Sequence, residues 1–191
     1  MRRVLKSAVL AGLLVCATAP ANADELDRLM SLLAQRTHGQ VSFVEEDHLA
    51  LLDRPARSSG ELRYDRPDRL EKRTLVPRAA SLLLENGSVT IEARGRKHVV
   101  ALRDYPQIAP FVESLRATLA GDRHALEQVF GVNFEGTLER WTLTLTPLDS
   151  KREGVVKQIR IEGANDALRT VSILQADGDT SVMTLGASLP P

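Results

Sequence analysis

Residues 60–77 read GELRYDRPDRLEKRTLVP, and the placing of apolar side chains on either side of the central Arg-Pro decides how the chain is folded. Leu62 and Tyr64 alternate with Glu61, Arg63 and Asp65, the period of a strand with one buried face. The row then continues onto Arg66 and stops at Pro67, which has no amide hydrogen for a sheet ladder. RLEKRTLV resumes the strand pattern until Pro77, so the stretch predicts two antiparallel strands broken at Arg66-Pro67. Arg66 is the odd member. Its guanidinium stays charged and carries five donors in a fixed fork, so at an inner rim it must find carbonyls or carboxylates. The plain alternative is that it snorkels to water at the strand end or pairs with an acid such as Asp68.

Working outward, SLLL and SVTIEA flank Glu85-Asn86-Gly87, a strong hairpin signal because Asn and Gly both accept the positive φ of a type I′ turn. KHVVAL, residues 97–102, offers one more short strand. On the other side DRPARSSG reads as a loop, preceded by a strand from Gln40 on which Val41 and Phe43 share a face with Glu45. Before that, DELDRLMSLLAQRTHG places Leu26, Leu29, Met30 and Leu33 at helical spacing, with acids in the first turn and Gly39 beyond the last.

The middle of the chain departs from the strand rhythm. PQIAPFVESLRATLAG sets Phe111, Leu115 and Leu119 at i, i+4 and i+8 and ends at Gly121, a residue suited to the left-handed position after a helix. Asp122 can cap a second helix whose apolar stripe would be Ala125, Leu126, Val129 and Phe130, with Gly131 as its stop. Strands then return. In ERWTLTLTP, Trp141, Leu143 and Leu145 alternate with threonines; VVKQIRIEG, TVSILQ and SVMTL follow. About nine strands in meander order with helices at the start and middle predict an α+β, mainly β chain: a curved antiparallel sheet or unclosed barrel.

Residues 1–23 have the organisation of a secretory signal peptide: basic MRRVLK, a short apolar run, then Ala21-Asn22-Ala23 as the expected cleavage site. The run falls short of the roughly 20 apolar residues a membrane span needs. A lipidated Cys16 is disfavoured because Val15 before it is not small. Residues 24–191 then form one domain, long enough to bury roughly 70% of its unfolded surface. Taking Arg2, Arg3 and Lys6 from the 25 Lys and Arg leaves 22 against 25 Asp and Glu, a net charge of −3 that excludes a nucleic-acid binder. The one cysteine lies in the signal, so the exported chain has no disulfides and must be held by its core; this favours a periplasmic location.

Catalytic signals are missing from the sequence. His38, His48, His98 and His124 are scattered without metal-ligand spacing, and there is no GxSxG elbow, phosphate-binding glycine loop or cysteine nucleophile after the signal. Glu45-Glu46-Asp47 and Asp177-Gly178-Asp179 lack the alternating ligands of a calcium loop and read as solvated turns. The expectation is a protein that is not an enzyme and carries no metal or cofactor.

The ordered set of a helix, a strand with Phe43, Gly60-Glu61-Leu62 leading to Arg66-Pro67, Pro77, the Asn86-Gly87 hairpin and the Trp141 to Pro147 strand resembles the LolA family of periplasmic outer-membrane lipoprotein carriers. The resemblance runs from about Asp24 to Leu185 and points to a LolA-related member. It implies an unclosed β-barrel covered by lid helices, whose apolar concavity receives the acyl chains of a lipoprotein or acyl-lipid cargo. By this resemblance Phe43, Leu62, Tyr64, Trp141 and Leu143 would line the concavity, Phe111, Leu115 and Leu119 would cover it, and Arg66 would latch wall to lid through lid backbone. An inner-membrane exporter, an outer-membrane acceptor and a monomeric state follow as expectations. Two departures bear on the cargo: Glu45 stands where the family usually has glutamine, and seven aromatics in the whole chain imply an aliphatic pocket. The alternative is an envelope-stress sensor or regulatory binding protein on the same half-barrel. Periodicity leaves open whether the concavity is hollow or filled by side chains.

Overall fold

A computed structural model of the protein describes residues 21–105, 109–148 and 156–188. Residues 1–20 of the expected signal peptide 1–23 therefore lie outside the described residues. The first helix, α1 (Ala21–Ala34), runs back to Ala21, three residues before the expected start of the mature chain. Leu26, Leu29, Met30 and Leu33 form its stripe and are all buried.

Among the described residues eleven strands make one sheet. In chain order they are β1 (His38–His48), β2 (Ala56–Asp65), β3 (Arg69–Val76), β4 (Ala80–Glu85), β5 (Ser88–Ala93), β6 (Arg96–Ala101), β7 (Phe130–Thr137), β8 (Arg140–Pro147), β9 (Val156–Ala164), β10 (Ala167–Gln175) and β11 (Thr180–Ser188). The order across the sheet is β6-β5-β4-β3-β2-β1-β11-β10-β9-β8-β7. Every pairing is antiparallel, and β1 meets β11, with Phe43 opposite Leu185 and Glu45 opposite Met183. The outer strands β6 and β7 do not pair with each other, so the sheet curls without closing.

The local chemistry explains most of these elements. Asn86 and Gly87 have φ of 51° and 69°, the left-handed pair that a two-residue hairpin requires. Val41 and Leu62 are direct partners, as are Tyr64 and Gly39, which fixes one apolar face for β1 and β2. Two helices connect the unpaired edges β6 and β7. These are α2 (Ala109–Ala120) and α3 (Arg123–Val129). Gly121 between them has φ +64°, and a methyl there would lie 2.1 Å from the Met30 carbonyl oxygen, so α2 closes tightly onto α1. Asp122 caps α3 by accepting from the Ala125 amide at 2.9 Å.

Four expectations need correction. The sheet has eleven strands where about nine were counted. The strand missed outright is β7: Phe130 begins it and does not extend the α3 stripe. ARSS within the expected loop 53–60 is already β2. Helix α2 is buried on most of its circumference, including Val112, Ser114, Ala117 and Thr118, whereas Phe111 is only partly buried. Its polar members are satisfied along the helix, Ser114 Oγ donating to the Phe111 carbonyl at 2.8 Å and Thr118 Oγ1 to the Ser114 carbonyl at 2.7 Å.

Candidate functional site

The concave face is mostly solid. Trp141, Leu143, Leu145, Ile159 and Ile161 are at most 1% exposed and belong to the same continuous core as α1 and α2. Trp141 is held on two sides. Its Nε1 donates to the Asn165 carbonyl at 3.0 Å, and its ring lies over Gly163, where a methyl would fall 2.2 Å from Cζ2. Residues in such contact are core anchors.

Hollow space remains at one end. A cavity of about 210 Å³ is lined by Val41, Leu62, Leu119, Leu168 and Leu185, with Tyr64 in its wall and Arg36 and Arg169 at its polar margin. Its position follows from small residues in the ladder: Gly39 faces Tyr64 across β1 and β2, and a methyl there would meet only the Arg36 side chain, at 3.7 Å. Tyr64 is 2% exposed, and its hydroxyl oxygen is buried with no hydrogen-bond partner among the described residues. Burial pushes the Tyr64 phenol above its ordinary pKa, against the lowering pull of Arg66 and Arg116, with a smaller upward contribution from Asp68. It is therefore a neutral phenol whose hydroxyl is not used by any protein group among the described residues.

Two arginines hold the end of α1 beside this cavity. Arg66 lies beyond β2, exposed, and its Nη1 donates to the Ala34 carbonyl at the last residue of α1. Arg36 Nη2 donates to Asp166 Oδ2 at 2.5 Å, which holds the Asp166 carboxyl below its ordinary range. The opposite end of the trough is sealed. Glu45, 9% exposed, accepts from Lys72 Nζ at 2.5 Å, Ser58 Oγ at 3.2 Å and Ser181 Oγ at 3.3 Å, and Lys72 also sits 5.1 Å from the centre of the Phe43 ring. The residue that departs from the family's usual glutamine is thus a paired and hydrogen-bonded buried carboxylate.

Of the nine residues singled out from the sequence, Leu62, Tyr64 and Leu119 line the cavity. Phe43, Leu115, Trp141 and Leu143 are buried in the surrounding core, and Phe111 packs against it from the edge. Arg66 does not point inward; it reaches helix backbone, but that of α1 and not of α2 or α3. Sequence reasoning missed Arg36, Ala167, Leu168 and Arg169, which come together here because α1 ends where β10 begins. A second opening of about 480 Å³ lies along α2 and α3, between Leu102 after β6 and Phe130 on β7. This is where the helices cover the gap between the sheet's edges. Among the described residues no group of three or more His, Cys, Asp or Glu is placed to hold a metal, and no helix is long and apolar enough to cross a membrane.

No curated protein matches the sequence. Similar solved structures include a LolA superfamily protein from Nitrosomonas europaea, 11% identical, covering 90% of this chain and 96% of its own with a TM-score of 0.46. The lipoprotein LppX of Mycobacterium tuberculosis is also 11% identical, with 90% and 98% covered and a TM-score of 0.44. MucB of Pseudomonas aeruginosa, solved with MucA, is 12% identical; the match covers 88% of this chain and 58% of that one, with a TM-score of 0.44. The family model described as outer membrane lipoprotein carrier protein LolA-like matches residues 17–189, and with a half-barrel, a helical cover and an apolar cavity between them, the chain belongs to that LolA-like family.

Proposed function

We propose that the protein is a non-catalytic periplasmic carrier, exported with cleavage after Ala23, that shields an acyl chain of a lipidated cargo on its way from an inner-membrane exporter towards an outer-membrane acceptor. The observation that carries this reading is the cavity of about 210 Å³, apolar on most of its wall, to which Tyr64 contributes its side chain while its hydroxyl is buried just behind that wall. An apolar chain entering it would gain roughly 0.8 kcal/mol per buried CH₂, and an ester or carboxyl oxygen would accept from Tyr64. The volume is below the roughly 300–1,000 Å³ of ordinary ligand sites, so one chain is the natural occupant. A cargo with several chains would have to displace α1 or α2 from the sheet. Weak closure of that kind lets a receptor withdraw the chain without a chemical energy source.

The test is the organic extract of protein purified from its native envelope, read by mass spectrometry, together with titration of a fluorescent fatty acid. An acyl lipid in the extract and a saturable probe displaced by palmitate are expected. A lipid-free extract combined with no saturable probe binding would overturn the carrier reading.

A further inference from the structure

The end of the sheet remote from the cavity carries a different surface. Six of the seven large apolar side chains that are exposed among the described residues sit there: Leu51, Leu52, Leu75, Val76, Leu148 and Leu174. Strand direction places the first four of these on neighbouring turns, because β1 ends where β2 begins, with Asp47 opposite Ala56, β2 meets the end of β3 at Ser59 and Val76, and β4 meets the end of β5 at Ala80 and Ala93. The turns after β1, β3 and β5 therefore project side by side. Leu51 is 97% exposed, and Leu52, Leu75 and Val76 are 50%, 52% and 57% exposed, so none of these contributes to the core.

Positive charge is concentrated on two of these turns, those after β3 and β5, whereas the turn after β1 balances Arg54 with Asp53. Residues 73–80 and 92–97 hold Arg73, Arg78, Arg94, Arg96 and Lys97 against one acid, Glu92, in a chain whose overall formal charge is zero. Arg54, Arg78, Arg94, Arg96 and Lys97 form no ion pair among the described residues. The apolar side chains lie on separate turns with arginines between them.

From this juxtaposition we infer that the turns after β1, β3 and β5 form a docking surface for an anionic lipid bilayer. Leucine and valine tips would enter the headgroup layer, while the arginines meet lipid phosphates, whose two non-bridging oxygens suit a guanidinium fork. The uncompensated positive charge is what selects a bilayer over an apolar protein partner. Docking in this way turns the cavity end away from the bilayer that is bound.

Full-length exported protein should float with phosphatidylglycerol vesicles at about 0.05 M salt, and much less with phosphatidylcholine vesicles or at about 0.5 M salt. Combined Arg78→Glu, Arg94→Glu and Arg96→Glu should reduce anionic-vesicle binding roughly tenfold or more. Leu51→Ser with Leu75→Ser should remove the part that resists salt. Both variants should melt like the parent and take up the fluorescent fatty acid normally, because the cavity lies at the other end of the strands. Absence of flotation with either vesicle, equal binding to both lipids, or anionic binding that survives the triple charge reversal would each overturn the inference. So would retention by an envelope protein through these same residues with no vesicle binding.

Discussion

Arg36 Nη2 donates to Asp166 Oδ2 at 2.5 Å, joining the segment after α1 to the turn between β9 and β10 beside the cavity. The Asp166 carboxyl is held below its ordinary range chiefly by that hydrogen bond, opposed by partial burial and aided by the Arg36 charge. A depressed carboxyl stabilises the fold above its unfolded pKa of about 3.9 and loses that contribution as pH falls through the folded value. The pair is partly solvated, with 21% and 46% of the two side chains exposed, so its worth is at most about 1 kcal/mol after screening. Asp166→Asn should therefore cost up to about 1 kcal/mol at pH 7, and the gap to the parent should close below about pH 4. Urea unfolding at several pH values measures this; a gap that persists in acid would show that charge is not its source.

Arg66→Leu should leave the fold intact. The backbone of this corner is fixed independently, by the Arg66 amide donating to the Thr37 carbonyl at 2.8 Å and by the β1–β2 ladder from His38 opposite Asp65. What is lost is a cation on a carbonyl that has no partner further along its helix, with a cost of about 0.5–1.5 kcal/mol. Hydrogen exchange should quicken in the last turn of α1, and a bound acyl probe should leave faster, with Arg66→Lys intermediate. Global unfolding of Arg66→Leu, or exchange that accelerates only in α2 and α3, would contradict this role for the side chain.

The helices and most strands were legible because their apolar residues keep a single period and their ends carry turn chemistry, as at Asn86-Gly87 and Asp122. Strand β7 was not. Val129 and Phe130 continue the α3 stripe in one dimension, and Gly131 mimics a helix stop, whereas Phe130 and Phe134 are both buried on β7. Arg66 misled for a related reason: alternation tells which face a residue takes only while the strand lasts, and β2 ends at Asp65. The cavity was half legible. Leu62 and Tyr64 follow from period two, but Leu168 and Arg36 enter through the long-range meeting of β10 with the end of α1, which no local pattern records.

Trp141→Ala should separate core from cavity. The side chain is 1% exposed, packed on Gly163 and bonded to Asn165, so its removal should cost about 3–5 kcal/mol. It does not line the cavity. Probe affinity, measured below the lowered melting temperature, should remain within about twofold of the parent, a difference of under 0.5 kcal/mol. A selective loss of binding with little loss of stability would place cargo against the indole and return Trp141 to the cavity wall.

Tyr64→Phe makes the sharpest test of what the cavity is for, because it should push stability and binding in opposite directions. Among the described residues the hydroxyl is buried without a protein partner, a situation that typically costs about 1–3 kcal/mol, and phenylalanine removes the group while keeping the ring that lines the cavity beside Leu62. The variant should melt higher, by roughly 2–4 °C for each kcal/mol gained in a domain of this size. An oxygen-bearing acyl ligand would lose its donor, so its affinity should fall by roughly 2–10-fold, whereas a plain hydrocarbon probe should bind at least as well as before. A hydroxyl that served only the fold would give the reverse: a lower melting temperature and no discrimination between the two ligands. The contrast between a fatty acid and an alkane on the same pair of proteins thus reads the purpose of one oxygen atom directly.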